Sequence, residues 1–188
     1  SIIVLLFLSK LSLTYFIFGG VLVSLLLVLM IIIEPYRMQR IISFIDPFAD
    51  PLGSGFQIIQ SMFAIGPGGL IGEGINASIQ KYYYLPEPQT DFIFAIAVEE
   101  FGLIGGLIII LMYVLLFFYL YKIATFKNDQ FNYLLSIGLL SLIVIQVIIN
   151  LGVVTGLFPV TGITLPFLSY GGSSLIMLSF SVGLIIGS

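Results

Sequence analysis

Asp91 heads the run "DFIFAIAVEEFG", in which Glu99 and Glu100 follow eight and nine residues later, in a chain that is only 8% charged. A carboxylate near the centre of a bilayer costs about 2.5–3.5 kcal/mol on insertion scales, so it is normally paired, protonated or turned to a cavity. Carboxylates so placed are candidates for general acid–base work. With no Cys and no His in 188 residues, thiolate nucleophiles, imidazole bases, disulfides and Cys/His metal sites are excluded. Acid–base chemistry falls to Asp, Glu, Lys or Tyr.

The residues alone leave two readings of Asp91 open. At the start of a helix it can cap backbone N–H groups and complement the positive end of the dipole, or it can face a cavity as a base. Glu99 would lie about 12 Å deeper and about 80° around an ideal helix, able to line the same cavity, whereas Glu100 falls near 180° and meets a different neighbour. Because the Lys and Arg residues fall in or beside loops, the expected partners of both glutamates are hydroxyls or amides such as Gln57, Gln60 or Asn150, protons on the carboxylates themselves, or basic groups in an N-terminal half beyond these residues. Lys81, in "QKYYYLPEPQTDF", either holds a phosphate as a point charge or snorkels beside an aromatic belt of Tyr82, Tyr83 and Tyr84. "TGITLPFLSYGGSS" offers Gly171 and Gly172 for close backbone approach and the hydroxyls of Ser169, Tyr170 and Ser173. With neither a strand before it nor a Walker lysine, this is no nucleotide loop. A tight turn before a helix is its plain alternative.

These groups must be positioned by membrane helices. The chain is 60% hydrophobic, its mean hydropathy is +1.22, and it contains several apolar runs near the length of a bilayer crossing, which predicts an all-α polytopic membrane protein. It opens in "SIIVLLFL", without an initiator Met or a basic n-region, and reads as the interior of a larger protein. A net charge of −3 without a basic block argues against nucleic acid as a partner.

The whole of 1–188 reads as one membrane domain of about five full crossings plus one partial. After the partial span at 1–9, the crossings expected are Leu13–Ile33, 56–74, a helix from Asp91 or Phe92 to about Lys122, Asn132 to about Thr155, and one from about Ser174. The stretch 56–74 carries Gln57, Gln60, Glu73, Pro67 and several glycines, and irregular backbone at membrane depth is tolerated only where protein or a water-lined cavity satisfies it. Alternating the loops puts 34–55 and 122–131 on one face, and 75–90 and 155–173 on the other as loop or re-entrant segments. The excess of Lys and Arg makes the first face cytoplasmic.

Four stretches carry the reading further: "PYRMQRIISFIDPFADPLGSGFQIIQS", "AIGPGGLIGEG", "QKYYYLPEPQTDFIFAIAVEEFGLIGG" and "LFPVTGITLPFLSYGGSSL". In this order, over nearly the whole chain, they closely resemble the SEDS family of FtsW, RodA and SpoVE, and the division branch, FtsW, more than the elongation branch. Family members typically have ten spans, so the resemblance covers the second half. It implies a peptidoglycan glycosyltransferase of the bacterial cytoplasmic membrane, acting at the division septum on lipid II, an undecaprenyl-pyrophosphate-linked disaccharide peptide. Expected partners are a class B penicillin-binding protein transpeptidase, other divisome membrane proteins and membrane lipids. The family's essential aspartate maps onto Asp91 in "TDFIFA". Lys81, Glu87, Gln60, Ser169, Tyr170 and Ser173 form the expected substrate-binding set, with Glu99, Glu100, Gly171 and Gly172 lining or shaping the cavity. Lys81 or a divalent cation would stabilise the pyrophosphate leaving group. Phe56, Phe48 and Gln89 depart from the Tyr, Trp and His common in relatives, and Gln89 removes a histidine helper beside Thr90 and Asp91. A lipid-linked precursor flippase and a non-catalytic divisome scaffold are the rival functions.

Overall fold

The computed structural model describes residues 5, 13–78, 80 and 89–187, and Lys10, Lys81 and Glu87 lie outside them. Among the described residues every regular element is helical. Helix α1 (Leu13–Ile33) is the expected apolar run, and its described side chains are largely exposed. Pro35 takes the first position of α2 (Pro35–Ile45), where a missing N–H costs nothing. A proline also disfavours helical backbone in the residue before it, and Glu34 is accordingly extended at φ −110°, ψ 105°. The two helices meet at a 101° bend.

A short 3-10 turn at Pro47–Ala49 follows, with the Asp46 carboxylate accepting from Phe48 N at 3.1 Å. It leads into α3 (Phe56–Ile65). Ten residues rise about 15 Å, half a hydrocarbon core. The expected crossing at 56–74 is thus corrected: it is not a single helix long enough to span. Gly66 and Pro67 end the helix, and the backbone of 68–74 turns against residues 98–104.

Helix α4 (Ile93–Thr125) is the expected long helix in sequence but is broken in space. At Gly102 the backbone takes φ 69°, ψ −174°, a conformation essentially confined to glycine. The short arm, 93–101, folds back along the long arm, 103–125, since a Cβ at Gly106 would lie 2.8 Å from Val98 Cγ2 and 3.5 Å from the Phe94 ring. A straight helix would hold Phe94 about 18 Å from Gly106 along its axis.

The break satisfies the hydrogen-bonding groups it exposes. Leu103 N and Ile104 N donate to Gly69 O at 2.9 Å and Leu70 O at 3.2 Å, while Glu99 O and Glu100 O accept from Glu73 N at 3.0 Å and Gly74 N at 3.1 Å. Without water, each of these groups left unpaired would cost several kcal/mol. A Cβ on Gly72 would lie 2.3 Å from Glu100 O and one on Gly102 would lie 2.4 Å from Leu70 O. Only glycine permits both approaches.

Helix α5 (Gln130–Val154) starts at Asp129, whose carboxylate accepts from Asn132 N at 3.4 Å. It packs antiparallel to the long arm: Leu120 clusters with Leu140, and Tyr113 with Val147. Continued along both helices, that register puts the Gly102 break beyond the Val154 end of α5. Helix α6 (Gly172–Gly187) returns beside them, its Ile185 fully buried with Leu120 and Leu140. Helices α4 and α5 are long and apolar enough to cross a membrane, and the bent α1–α2 pair is a third candidate.

The loop faces also need correction. Segments 34–55 and 155–173 were expected on opposite sides, yet Arg40 Nη1 donates to Val160 O at 2.6 Å and buried Ser61 Oγ donates to Val154 O at 2.7 Å. Both segments sit at the Val154 end of the bundle, and Lys122 and Lys127 at the other. The expectation failed because it counted 56–74 as a crossing, and one false crossing inverts the alternation before it.

Candidate active site

The fold-back fixes where Asp91 lies. Phe92 is the N-cap of α4, so Asp91 stands one residue outside the helix, half-buried. Its carbonyl accepts from Asn150 Nδ2 at 2.8 Å, and the same nitrogen donates to Ile163 O at 2.7 Å. Asn150 is one helical turn inside the Val154 end of α5, so Asp91 is the deep end of the short arm. The break at Gly102 is its outer end. The expected order of depth is reversed: Glu99 lies about 12 Å further out than Asp91.

The segment 160–171 straps this turn down. It runs back along α5, where Gln146 Nε2 donates to Thr164 O at 3.0 Å, and the Tyr113 hydroxyl donates to Pro166 O. Ser169 Oγ donates to Thr90 O at 2.5 Å and accepts from Leu165 N at 2.7 Å. Tyr170 N donates to Gln89 O at 2.8 Å. Three consecutive carbonyls, those of Gln89, Thr90 and Asp91, are therefore each held by a donor from α5 or from the strap. The Asp91 carboxylate lies against Gly162, where a Cβ would stand 3.5 Å from Oδ2.

Beside this turn opens a cavity of about 530 Å³, lined by Gln89, Ile93, Phe167 to Gly172 and Leu175. The starts of the short arm and of α6 both line it, and backbone N–H groups at helix starts favour anions. Phe167 holds φ at 66° in this wall, a sparsely populated conformation for a bulky residue.

Of the expected substrate-binding residues, Tyr170 lines the cavity with its side chain exposed. Ser169 lines it too, but its hydroxyl is spent on two backbone partners and so shapes the turn. Gly171 and Gly172 line the wall, while Gln60 and Ser173 stand outside it. Lys81 and Glu87 fall outside the described residues.

Neither Asp91 nor Glu99 is among the residues that line the 530 Å³ cavity. Glu99 is 2% exposed, and its carboxylate accepts from Ser78 Oγ at 2.5 Å and from Gln80 N at 3.3 Å. A hydroxyl partner was expected, but Ser78 was not among those considered. Glu100 is also buried, on the part of the short arm that meets the turn at 68–74. Among the described residues no three carboxylates gather into a metal-binding group. Asn150 and Gln146 were missed as holders of the site, since amides on a long apolar helix carry no local mark of a partner 13 to 59 residues away.

Comparison with known proteins adds the family. The profile FTSW_RODA_SPOVE, described as "Cell cycle protein", matches residues 1–187. The stage V sporulation protein E of Bacillus subtilis is 52% identical over 184 residues, covering 98% of this chain and 50% of that protein. The probable peptidoglycan glycosyltransferase FtsW of Coxiella burnetii is 45% identical over 97% of this chain and 50% of its own length. The chain thus spans about half the length of these relatives. Among solved structures, one described as "Structural coordination of polymerization and crosslinking by a peptidoglycan synthase complex" superposes with a TM-score of 0.73 at 34% identity, over 98% of this chain and 51% of that one. An aspartate-to-alanine mutant of the Thermus thermophilus rod shape determining protein RodA gives 0.51 at 35% identity, over 67% of this chain and 38% of that one. With a family match over nearly its full length, the chain belongs to the FtsW/RodA/SpoVE family of cell cycle proteins.

Proposed function

We propose that this protein joins lipid II disaccharides into glycan strands on the outer face of the bacterial cytoplasmic membrane, with Asp91 as the general base. The observation that carries this reading is the fixed Asp91 turn. Its carbonyl and the two before it are each bonded, and its half-buried side chain lies against Gly162 of the strap. Rigid positioning of a base is what proton abstraction from an acceptor sugar hydroxyl requires.

The freed hydroxyl attacks an anomeric carbon, and the bond to the lipid pyrophosphate breaks. Direct displacement inverts that carbon. The departing anion is stabilised by the N–H groups at the starts of the short arm and α6. Lys81, ten residues before Asp91 in sequence, is the residue proposed to supply a positive charge to the leaving group. The family names of the relatives support a division role, with the protein at the septum beside a class B penicillin-binding protein that crosslinks the strands. Because Asp91 must meet its substrate on the outer face in this reading, the Val154 end of the bundle faces outward and the end bearing Lys122 and Lys127 faces the cytoplasm.

The test is polymerisation of purified lipid II by the full-length protein with its transpeptidase partner, the transpeptidase being blocked. Glycan strands made by wild type and not by Asp91→Asn are expected. Strands made equally by both would remove Asp91 from the chemistry, and lipid II translocation without strands would make the protein a flippase.

A further inference from the structure

A second cavity lies at the other end of the strap. It measures about 360 Å³, and Gln39, Ser43, Ser54 and Gln57 supply a polar wall around Arg40, with Val160 beside it. Arg40 is half-buried on α2. Its guanidinium donates from Nη1 to Val160 O at 2.6 Å and from Nη2 to the Tyr36 hydroxyl, with Cζ 4.7 Å from the centre of the Tyr36 ring. No described carboxylate pairs with it. Asp50, beside this wall, is taken up by Ser54 N at 2.9 Å and Ser54 Oγ at 3.3 Å.

A guanidinium has five N–H donors in a rigid fork suited to phosphate. Two are used to hold Arg40 in place, which leaves three and the full positive charge facing a polar cavity. A partly exposed guanidinium with free donors in a polar cavity is a ready seat for an anion. Its position is informative. Val160 and Gly162 are two residues apart on the strap, at most about 7 Å, and the Asp91 carboxylate lies against Gly162. The guanidinium and the Asp91 carboxylate are therefore at most about 17 Å apart, and no residue is shared between this cavity and the one of 530 Å³.

We infer that the Arg40 cavity seats the pyrophosphate of a second lipid-linked sugar, the partner of the one whose anion departs into the cavity at Gln89 and Gly172. This rests on the polymerase reading, because joining two lipid-linked sugars brings two pyrophosphates to one base. The strap between Val160 and Gly172 then separates the two anions, with Asp91 behind it.

The test is binding of undecaprenyl pyrophosphate to the full-length protein in nanodiscs. The dissociation constant should rise at least tenfold in Arg40→Gln and about threefold in Arg40→Lys, which keeps the charge but loses the fork. Arg40→Lys guards against a folding defect, and thermal unfolding of both variants is followed alongside. Inorganic pyrophosphate that competes in wild type and not in Arg40→Gln shows that the anion alone is recognised. If it fails to compete while the lipid still needs Arg40, the headgroup is held together with its chain, and the site stands. Equal affinity in wild type and both variants overturns it. Arg40-dependent binding by a wild-type protein that makes no glycan from lipid II would sink the polymerase reading and leave the anion site in place.

Discussion

Asn150 holds Asp91 by its main chain and not by its carboxylate, one amide nitrogen bridging Asp91 O at 2.8 Å and Ile163 O at 2.7 Å. Asn150 is 1% exposed, and each buried carbonyl left unpaired costs roughly 1–3 kcal/mol. Asn150→Ala should therefore lower polymerisation at least tenfold and destabilise the protein, although it alters no group that touches substrate. Activity and thermal unfolding measured on the same preparation check both parts. Wild-type activity in Asn150→Ala would mean that the strap alone fixes the turn.

Asp91→Asn keeps the size of the side chain and the main-chain bonds from Asn150. Membrane levels should match wild type while strand synthesis falls below detection, read by gel separation of glycan from labelled lipid II. Because Phe92 and not Asp91 is the N-cap, a loss of activity cannot be assigned to a lost helix cap.

Gly102→Ala should be among the most damaging single changes in the chain. Its Cβ would lie 2.4 Å from Leu70 O and 2.5 Å from Gly72 N, in a backbone conformation that alone costs about 1–3 kcal/mol for another residue. Gly183→Ala, in α6 with nothing within 4 Å of the added carbon, should be neutral or slightly stabilising. Detergent-extracted yield and unfolding temperature separate the two. Similar values for both would mean that the break is not required for the fold.

The bond between Ser78 and Glu99 predicts coupling. Hydrogen bonds to charged groups contribute about 1.5–3 kcal/mol, so a double-mutant cycle with Ser78→Ala and Glu99→Gln should show a non-additive term of that order. Additive effects would show that the two side chains act independently. If the pair ties 75–80 to the short arm, limited proteolysis should cut that segment faster in Ser78→Ala.

What could be read from sequence followed from uninterrupted local pattern. The end of α1 at Ile33 was legible because Pro35 ends an unbroken apolar run, and α5, expected from Asn132 to about Thr155 and found over Gln130–Val154, because the charged "ATFKNDQF" sets off another. The break in α4 was missed because the apolar character of residues 93–125 is continuous, and a glycine between Phe101 and Leu103 looks like any glycine in a membrane helix. Its signal was present but distant: the glycines of "GPGGLIGEG" are the other half of the same contact. Once 56–74 was read as a crossing, the faces of the earlier loops were inverted. Asp91 was legible by resemblance, whereas Asn150, Gln146 and the Ser169 to Thr90 bond exist only after the chain folds back on itself.

The break at Gly102 also imposes an order on biosynthesis. Residues 68–74 leave the ribosome before Gly102, so the partners that satisfy both sides of the break already exist when α4 enters the bilayer. Those that fix Gln89, Thr90 and Asp91 come from residues 150–170 and do not. The helical frame can insert in chain order, but Asp91 reaches its final position only when the strap has been synthesised and docked. A nascent chain arrested before Asn150 would be membrane-inserted and catalytically silent.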